Sequence, residues 1–160
     1  MREIAGEADL VACRGVKLQP VACDALNAMR TDAKKNDVNI VPVSGHRSVD
    51  RQREIFLHKL GTDFTHEQIL AGEADDRIDE ILTSSSIPGY SYHHSGLAVD
   101  FGCDELYSLT DAFRKTDCYE WLIENDFANA RKHNFSPSYP DDGIARGPDP
   151  EPWEFYFVKD

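Results

Sequence analysis

From Val21 to Asn36, apolar residues recur at Cys23, Leu26, Ala28, Met29 and Ala33 between polar ones, the spacing of one helix face. Pro20 stands just ahead, where a proline suits the first turn of a helix. Val38-Asn39-Ile40-Val41-Pro42-Val43 then predicts a short strand rich in β-branched residues, broken by Ser44-Gly45. A second helix is predicted over residues 51–60, with Gly61 as its C-cap. Residues 65–82 are polar and acidic, which predicts one or two short, solvent-facing helices. The run Ser84-Ser85-Ser86-Ile87-Pro88-Gly89 is a loop by composition. Leu97-Ala98-Val99-Asp100-Phe101 reads as a mostly buried strand. Thr116 is placed to cap a helix running through Cys118, Trp121, Leu122 and Ile123, with Phe127 further along. Residues 136–150 carry four prolines and two glycines and predict a long loop, and residues 153–158 close the chain as an aromatic strand. Helices and strands mix without regular βαβ alternation, so the fold class is α+β.

The chain has 160 residues, the size of a single domain with one core. With 41% hydrophobic and 29% charged residues it is too apolar to stay disordered. Its formal charge of −12 repels phosphate backbones and anionic lipid, so neither nucleic acid nor a membrane surface is an expected partner. No apolar run approaches the roughly 20 residues of a membrane span. The start, Met1-Arg2-Glu3-Ile4-Ala5-Gly6-Glu7, lacks the basic-then-apolar order of a secretory signal. That leaves a cytoplasmic location, or a periplasmic or cell-envelope one if the N-terminus was trimmed. Cys13, Cys23, Cys103 and Cys118 form no CxxC pair and no zinc-finger spacing. Four small buried residues is the simpler reading. An oxidising compartment would permit disulfides in three pairings, with Cys13–Cys23 the local one.

Three stretches gather chemically capable residues at element ends. In Ser91-Tyr92-His93-His94-Ser95-Gly96-Leu97-Ala98-Val99-Asp100, an imidazole and a carboxylate meeting across a turn can supply two ligands to Zn²⁺. On spacing alone, an exposed His pair and a capping Asp would explain them as well. In Glu151-Pro152-Trp153-Glu154, one carboxylate can bind metal while the other takes a proton from a bound water. Residues three apart point to opposite faces of a strict strand, so Glu151 must then sit in the loop and Glu154 at the strand start. In Ser44-Gly45-His46-Arg47-Ser48, Arg47 can hold a carboxylate or an oxyanion through two parallel hydrogen bonds. His58, His66 and His133 lie on polar segments and receive no role.

Taken in order, SGHRS at 44–48, SYHHSGLAVD at 91–100 and EPWE at 151–154 resemble the zinc D-alanyl-D-alanine carboxypeptidase family of the VanY type. That family's pattern runs Ser-Gly-Tyr-Arg-Ser, Ser-x-His-x-x-Gly-x-Ala-x-Asp and Glu-x-Trp-His. The Met29 helix, PGYS at 88–91, the WL pair at 121–122 and NFSPSYP before the last motif match too, so the likeness covers about residues 10–160. It implies a hedgehog/DD-peptidase-like domain with a small antiparallel sheet and flanking helices. It implies that His93 and Asp100 are metal ligands, that Glu151 is the general base, and that Arg47 engages substrate or oxyanion. Ser44, Gln52 and Ser91 fall near substrate-pocket positions. The implied activity is a peptidase on D-amino-acid-containing peptidoglycan stem peptides or muropeptides, first of all a D-Ala-D-Ala carboxypeptidase working as a monomer. The alternatives are a non-catalytic module binding such peptides, and an L-Ala-D-Glu endopeptidase of the endolysin type.

One position departs from the pattern. The family's third ligand is the His of Glu-x-Trp-His, and Glu154 stands there. A His-Asp-Glu site carries two carboxylates against one dication, which weakens the metal as a Lewis acid and moves preference from Zn²⁺ toward Mn²⁺ or another hard divalent ion. His46 and His94 would serve poorly as replacements, because in extended chain each faces away from its functional neighbour, Arg47 or His93. The charge of −12 also suits a periplasmic or housekeeping role, or a small soluble muropeptide, better than a lysin working on anionic wall polymers.

Overall fold

A computed structural model describes residues 3–104, 106–140 and 149–159 of the chain. The first strands form a hairpin the apolar pattern did not announce: β1 (Val11–Cys13) pairs antiparallel with β2 (Val16–Leu18). Arg14 and Gly15 between them both take positive φ, as a two-residue type I′ turn requires. Three-residue strands show too little alternation to be read in advance.

Helix α1 (Pro20–Lys34) starts at its proline and buries Ala22, Cys23, Leu26, Met29 and Ala33, the stripe its spacing predicts. Strand β3 (Ile40–Ser44) follows, then α2 (Val49–Leu60), whose N-terminus is capped by Ser48 accepting from the Arg51 amide. The acidic segment forms two helices, α3 (His66–Leu70) and α4 (Asp75–Leu82). They are not solvent-facing throughout. Ala74 and Ile81 are buried with Leu60 of α2, and Phe56, Phe64, Ile69 and Ile78 pack around them as a small second core.

Strand β4 (Ala98–Cys103) is buried along its whole length. Helix α5 (Asp117–Arg131) begins under its predicted cap, Thr116, and is interrupted at Glu124–Phe127, where Asn125, Asp126 and Phe127 have positive φ. The stretch predicted as loop from 136 opens instead on strand β5 (Phe135–Pro137), and residues 141–148 of that loop lie outside the described residues. β6 (Glu154–Phe157) completes a four-stranded antiparallel sheet of order β3-β4-β6-β5. Pro42 and Pro137 sit on the two edge strands, the only strands of a sheet where a missing amide is tolerated. This is the α+β fold with a small antiparallel sheet.

One face of the sheet makes the principal core: Ile40, Val99, Phe101, Phe135 and Phe155 pack against Leu26, Met29 and Ala33 of α1 and Trp121, Leu122 and Ala130 of α5. The cysteines correct the simpler reading. Cys13–Cys23 ties β1 to the first turn of α1, Cys103–Cys118 ties the end of β4 to the first turn of α5, and no cysteine is free. Buried thiols and buried disulfides look alike in a sequence; only packing brings these Cα atoms to 5.8 and 5.6 Å.

Candidate metal centre

The opposite face of the sheet carries a row of polar residues at one level. Ser44 of β3 is registered with Asp100 of β4, and Asp100 with Glu154 of β6. The Ser138 amide, just beyond β5, donates to the Glu154 carbonyl at 3.0 Å. Cross-strand partners share a face, so Ser44, Asp100, Glu154 and Ser138 line up across the sheet. The core-facing residues Val99, Phe101 and Phe155 alternate with them, which is why two carboxylates sit on a strand pair that looks apolar in sequence.

His93 reaches this row from a short 3-10 turn, Tyr92–Ser95. Ser91 caps the turn by accepting from the His93 amide at 3.3 Å, and Gly96 ends it in left-handed conformation at φ +69°. That left-handed conformation is what calls for glycine here. Gly45 is required for a different reason: a Cβ there would lie 2.6 Å from the Lys17 carbonyl. Its own carbonyl, 2.7 Å from Nδ1 of His93, accepts the ring N–H and aims Nε2 at the carboxylates.

Nε2 of His93 lies 3.4 Å from Asp100 Oδ2 and 3.3 Å from Glu154 Oε2. One ligand atom from each of the three falls within 4.8 Å of the others, and the three side chains are 2%, 2% and 4% exposed. The remaining oxygens, Asp100 Oδ1 and Glu154 Oε1, are buried without a hydrogen-bond partner. Buried carboxylate oxygens left this way are costly unless a cation or a hydrogen-bond donor satisfies them. The donor set therefore fits a divalent metal.

The electrostatics agree. Burial alone would lower the His93 pKa, but the Asp100 charge and hydrogen bonds to Asp100 and Glu154 outweigh it and hold the metal-free imidazole at about 10. Burial pushes the Glu154 carboxyl up, yet the hydrogen bond and charge of His93 keep it below its ordinary value. Glu151, half-buried in the turn before β6, is pushed up to about 8 by burial and then by the charges of Glu154 and Asp100. The turn closes with the Glu154 amide donating to the Glu151 carbonyl at 3.1 Å. Glu151 in the loop and Glu154 at the strand start is the arrangement their spacing demanded.

Arg47 is fastened to the same turn. Its amide donates to the His93 carbonyl at 3.2 Å, its carbonyl accepts from His94 Nδ1 at 2.7 Å, and its guanidinium donates to Gln52 Oε1 at 2.9 Å. Gln52 is buried and in turn donates to the Ser86 carbonyl at 2.8 Å. So Gln52 steers Arg47, Ser91 shapes the His93 turn, and Ser44 stands half-buried beside Asp100. His94 uses both ring nitrogens internally, the second accepting from the Gly89 amide at 3.0 Å. Burial lowers its pKa, and it stands outside the metal-ligating group, as does His46.

Two residues beside the centre had no assigned role in the sequence. Ser138 is 1% exposed and its hydroxyl has no partner. The Tyr139 phenol is held far above its ordinary pKa by burial and then by the Glu154 and Glu151 charges, so it stays protonated. Only the β5–β6 register shows that NFSPSYP borders the site.

Comparison with known proteins places this geometry in a family. The family model for VanY, D-alanyl-D-alanine carboxypeptidase, matches residues 15–160. The D-alanyl-D-alanine carboxypeptidase of Enterococcus faecalis is 28% identical over 144 residues, covering 89% of this chain and 47% of that protein. YodJ of Bacillus subtilis is 33% identical over 140 residues, covering 86% and 45%. The chain thus spans about half the length of these curated relatives. Among solved structures, the LdcB LD-carboxypeptidase superposes with a TM-score of 0.71 at 27% identity, covering 96% of this chain and 70% of that one. A D,D-pentapeptidase VanY mutant from a VanB-type resistance cassette, in complex with Zn(II), superposes with a TM-score of 0.68 at 25% identity, covering 98% and 83%. With nearly the whole chain matched by the family model and these structures sharing its fold, the chain belongs to the VanY D-alanyl-D-alanine carboxypeptidase family.

Proposed function

We propose that this chain is a metal-dependent carboxypeptidase that removes the terminal D-Ala from D-Ala-D-Ala stem peptides of peptidoglycan. The observation that carries the reading is the buried His93, Asp100 and Glu154 trio with its two orphaned oxygens, set beside a carboxyl with a raised pKa. His93, Asp100 and Glu154 would hold the cation, which supplies Lewis-acid polarisation of a scissile carbonyl and acidifies a water. Glu151 takes the proton of the attacking water and passes it to the leaving amine of the terminal residue. Burial holds the Glu151 carboxyl above its ordinary range, which suits it to accept a proton and release it again. Arg47, held by Gln52, offers its remaining N–H groups to the substrate carboxylate or the developing oxyanion. A VanY-type relative whose structure holds D-alanine-D-alanine supports the choice of substrate.

The cation we assign is divalent, zinc or a harder ion such as Mn²⁺, because two of the three ligands are carboxylates. Two disulfides support a place of work in an oxidising compartment, the periplasm or the cell envelope.

The test is elemental analysis of protein purified without chelator, followed by release of D-Ala from a D-Ala-D-Ala peptide. One equivalent of metal with D-Ala release is the expected result. Glu151→Gln should keep that metal and lose about 10²–10⁴-fold in rate. Protein that takes up neither Zn²⁺ nor Mn²⁺ on dialysis overturns the hydrolase reading and leaves a peptide-binding module in its place.

A further inference from the structure

Of the two carboxylate oxygens buried without a partner at the centre, Glu154 Oε1 shares its sheet face with a hydroxyl in the same condition. Ser138 lies opposite Glu154 in the sheet, fixed there by the 3.0 Å bond from its amide to the Glu154 carbonyl. Its side chain is 1% exposed, and its hydroxyl is buried without a partner. Glu154 Oε1 is buried without a partner too, while Oε2 is the oxygen turned toward His93. A hydroxyl rotates freely about its C–O bond and donates one hydrogen bond. Glu154 Oε1 is the orphaned acceptor on the same sheet face, and hydrogen bonding by the Ser138 hydroxyl is among the causes that lower the Glu154 pKa.

The chemistry of Glu154 gives such a donor a purpose. An imidazole presents one lone pair in one direction, whereas a carboxylate offers two oxygens and can turn, or chelate with both. A donor held against Oε1 leaves Oε2 alone to face the cation and preserves an open position for substrate. We propose that Ser138 is a positioning residue for the metal centre, its hydroxyl donating to Glu154 Oε1 so that Glu154 ligates through Oε2 only. This rests on the reading above that the trio holds a metal.

The test is a titration of metal-free protein with Zn²⁺ and with Mn²⁺ against a chromophoric chelator, on the natural chain, Ser138→Ala and Ser138→Thr. Thermal unfolding of the three metal-free proteins is followed in parallel. Loss of a hydrogen bond to a ligating carboxylate costs about 10–100-fold in metal affinity. Ser138→Ala should weaken binding by that factor while metal-free unfolding stays where it was, and Ser138→Thr should restore binding. Unchanged or tighter binding by Ser138→Ala overturns the proposal, and so does a loss matched by metal-free destabilisation. If Ser138→Thr does not fold, the Ala variant decides alone. If the natural chain binds one equivalent and Ser138→Ala binds as well, only the Ser138 role falls. If the natural chain binds none, the metal reading falls and Ser138 with it.

Discussion

Glu154 is where this chain departs from the pattern of its family, and its carboxylate stands beside His93 and Asp100 in the buried trio. Its Oε2 meets His93 Nε2 at 3.3 Å from the first residue of β6, directly opposite Asp100. The exchange is a change of charge more than of geometry: the trio carries two carboxylates in place of one. Glu154→His removes one negative charge and supplies a softer donor, so zinc preference over Mn²⁺ should rise by at least about tenfold, a difference of about 1.4 kcal/mol. Competitive metal titration of the two proteins checks this. D-Ala release that appears only in Glu154→His would mark the natural chain as a binder. Release by both would mark it as an enzyme with a harder metal.

At the scale of elements, the centre depends on β4 and on the turn that precedes it. Asp100 stands three residues before Cys103, whose disulfide to Cys118 anchors the end of β4 to α5. The bridge closes a loop of sequence separation 15, and in the chain-entropy account such a loop is worth about 3 kcal/mol. The double variant Cys103→Ala, Cys118→Ala should lose about that much in denaturant-induced unfolding, with the m-value followed to detect a change in the unfolded state. On the other side, a chain of hydrogen bonds from Arg47 to Gln52 of α2 to the Ser86 carbonyl links the helical lobe to the centre.

The whole molecule is strongly acidic, with a formal charge of −12, and its buried carboxylate pair lies within that field. A net negative potential draws divalent cations toward the centre and sets it against anionic polymers. Among the described residues, no helix is long and apolar enough to cross a membrane. The surface has its own charge cluster, in which Asp32 of α1 meets Lys132, Lys35 and His133. Hydrogen bonds from Lys132 and Lys35 hold the Asp32 carboxyl well below its ordinary 3.8. A carboxyl depressed in the folded state stabilises above its unfolded pKa, and that contribution fades as pH falls through the folded value. Asp32→Asn should therefore lower stability near neutral pH and flatten the loss of stability below about pH 4. Thermal unfolding across pH 2–7 reads both effects.

The sequence by itself determined the elements whose signals are local. Pro20 and the Ala22, Leu26, Met29 and Ala33 stripe marked α1, Thr116 marked the start of α5, and three short motifs held His93, Asp100, Glu151 and Arg47. Those are properties of neighbours in the chain, and neighbours are legible. Tertiary structure decided the rest. Cross-strand register aligned Ser44, Asp100, Glu154 and Ser138, which lie as many as 110 residues apart by number, and turned Glu154 into the third member of the trio. It joined the cysteines in pairs and gave the acidic helices a buried side. It also settled the two uncertain histidines by enclosing His94 between the Arg47 carbonyl and the Gly89 amide and leaving His46 outside the trio. Register, burial and enclosure come from packing between distant segments, so no local pattern of residues records them.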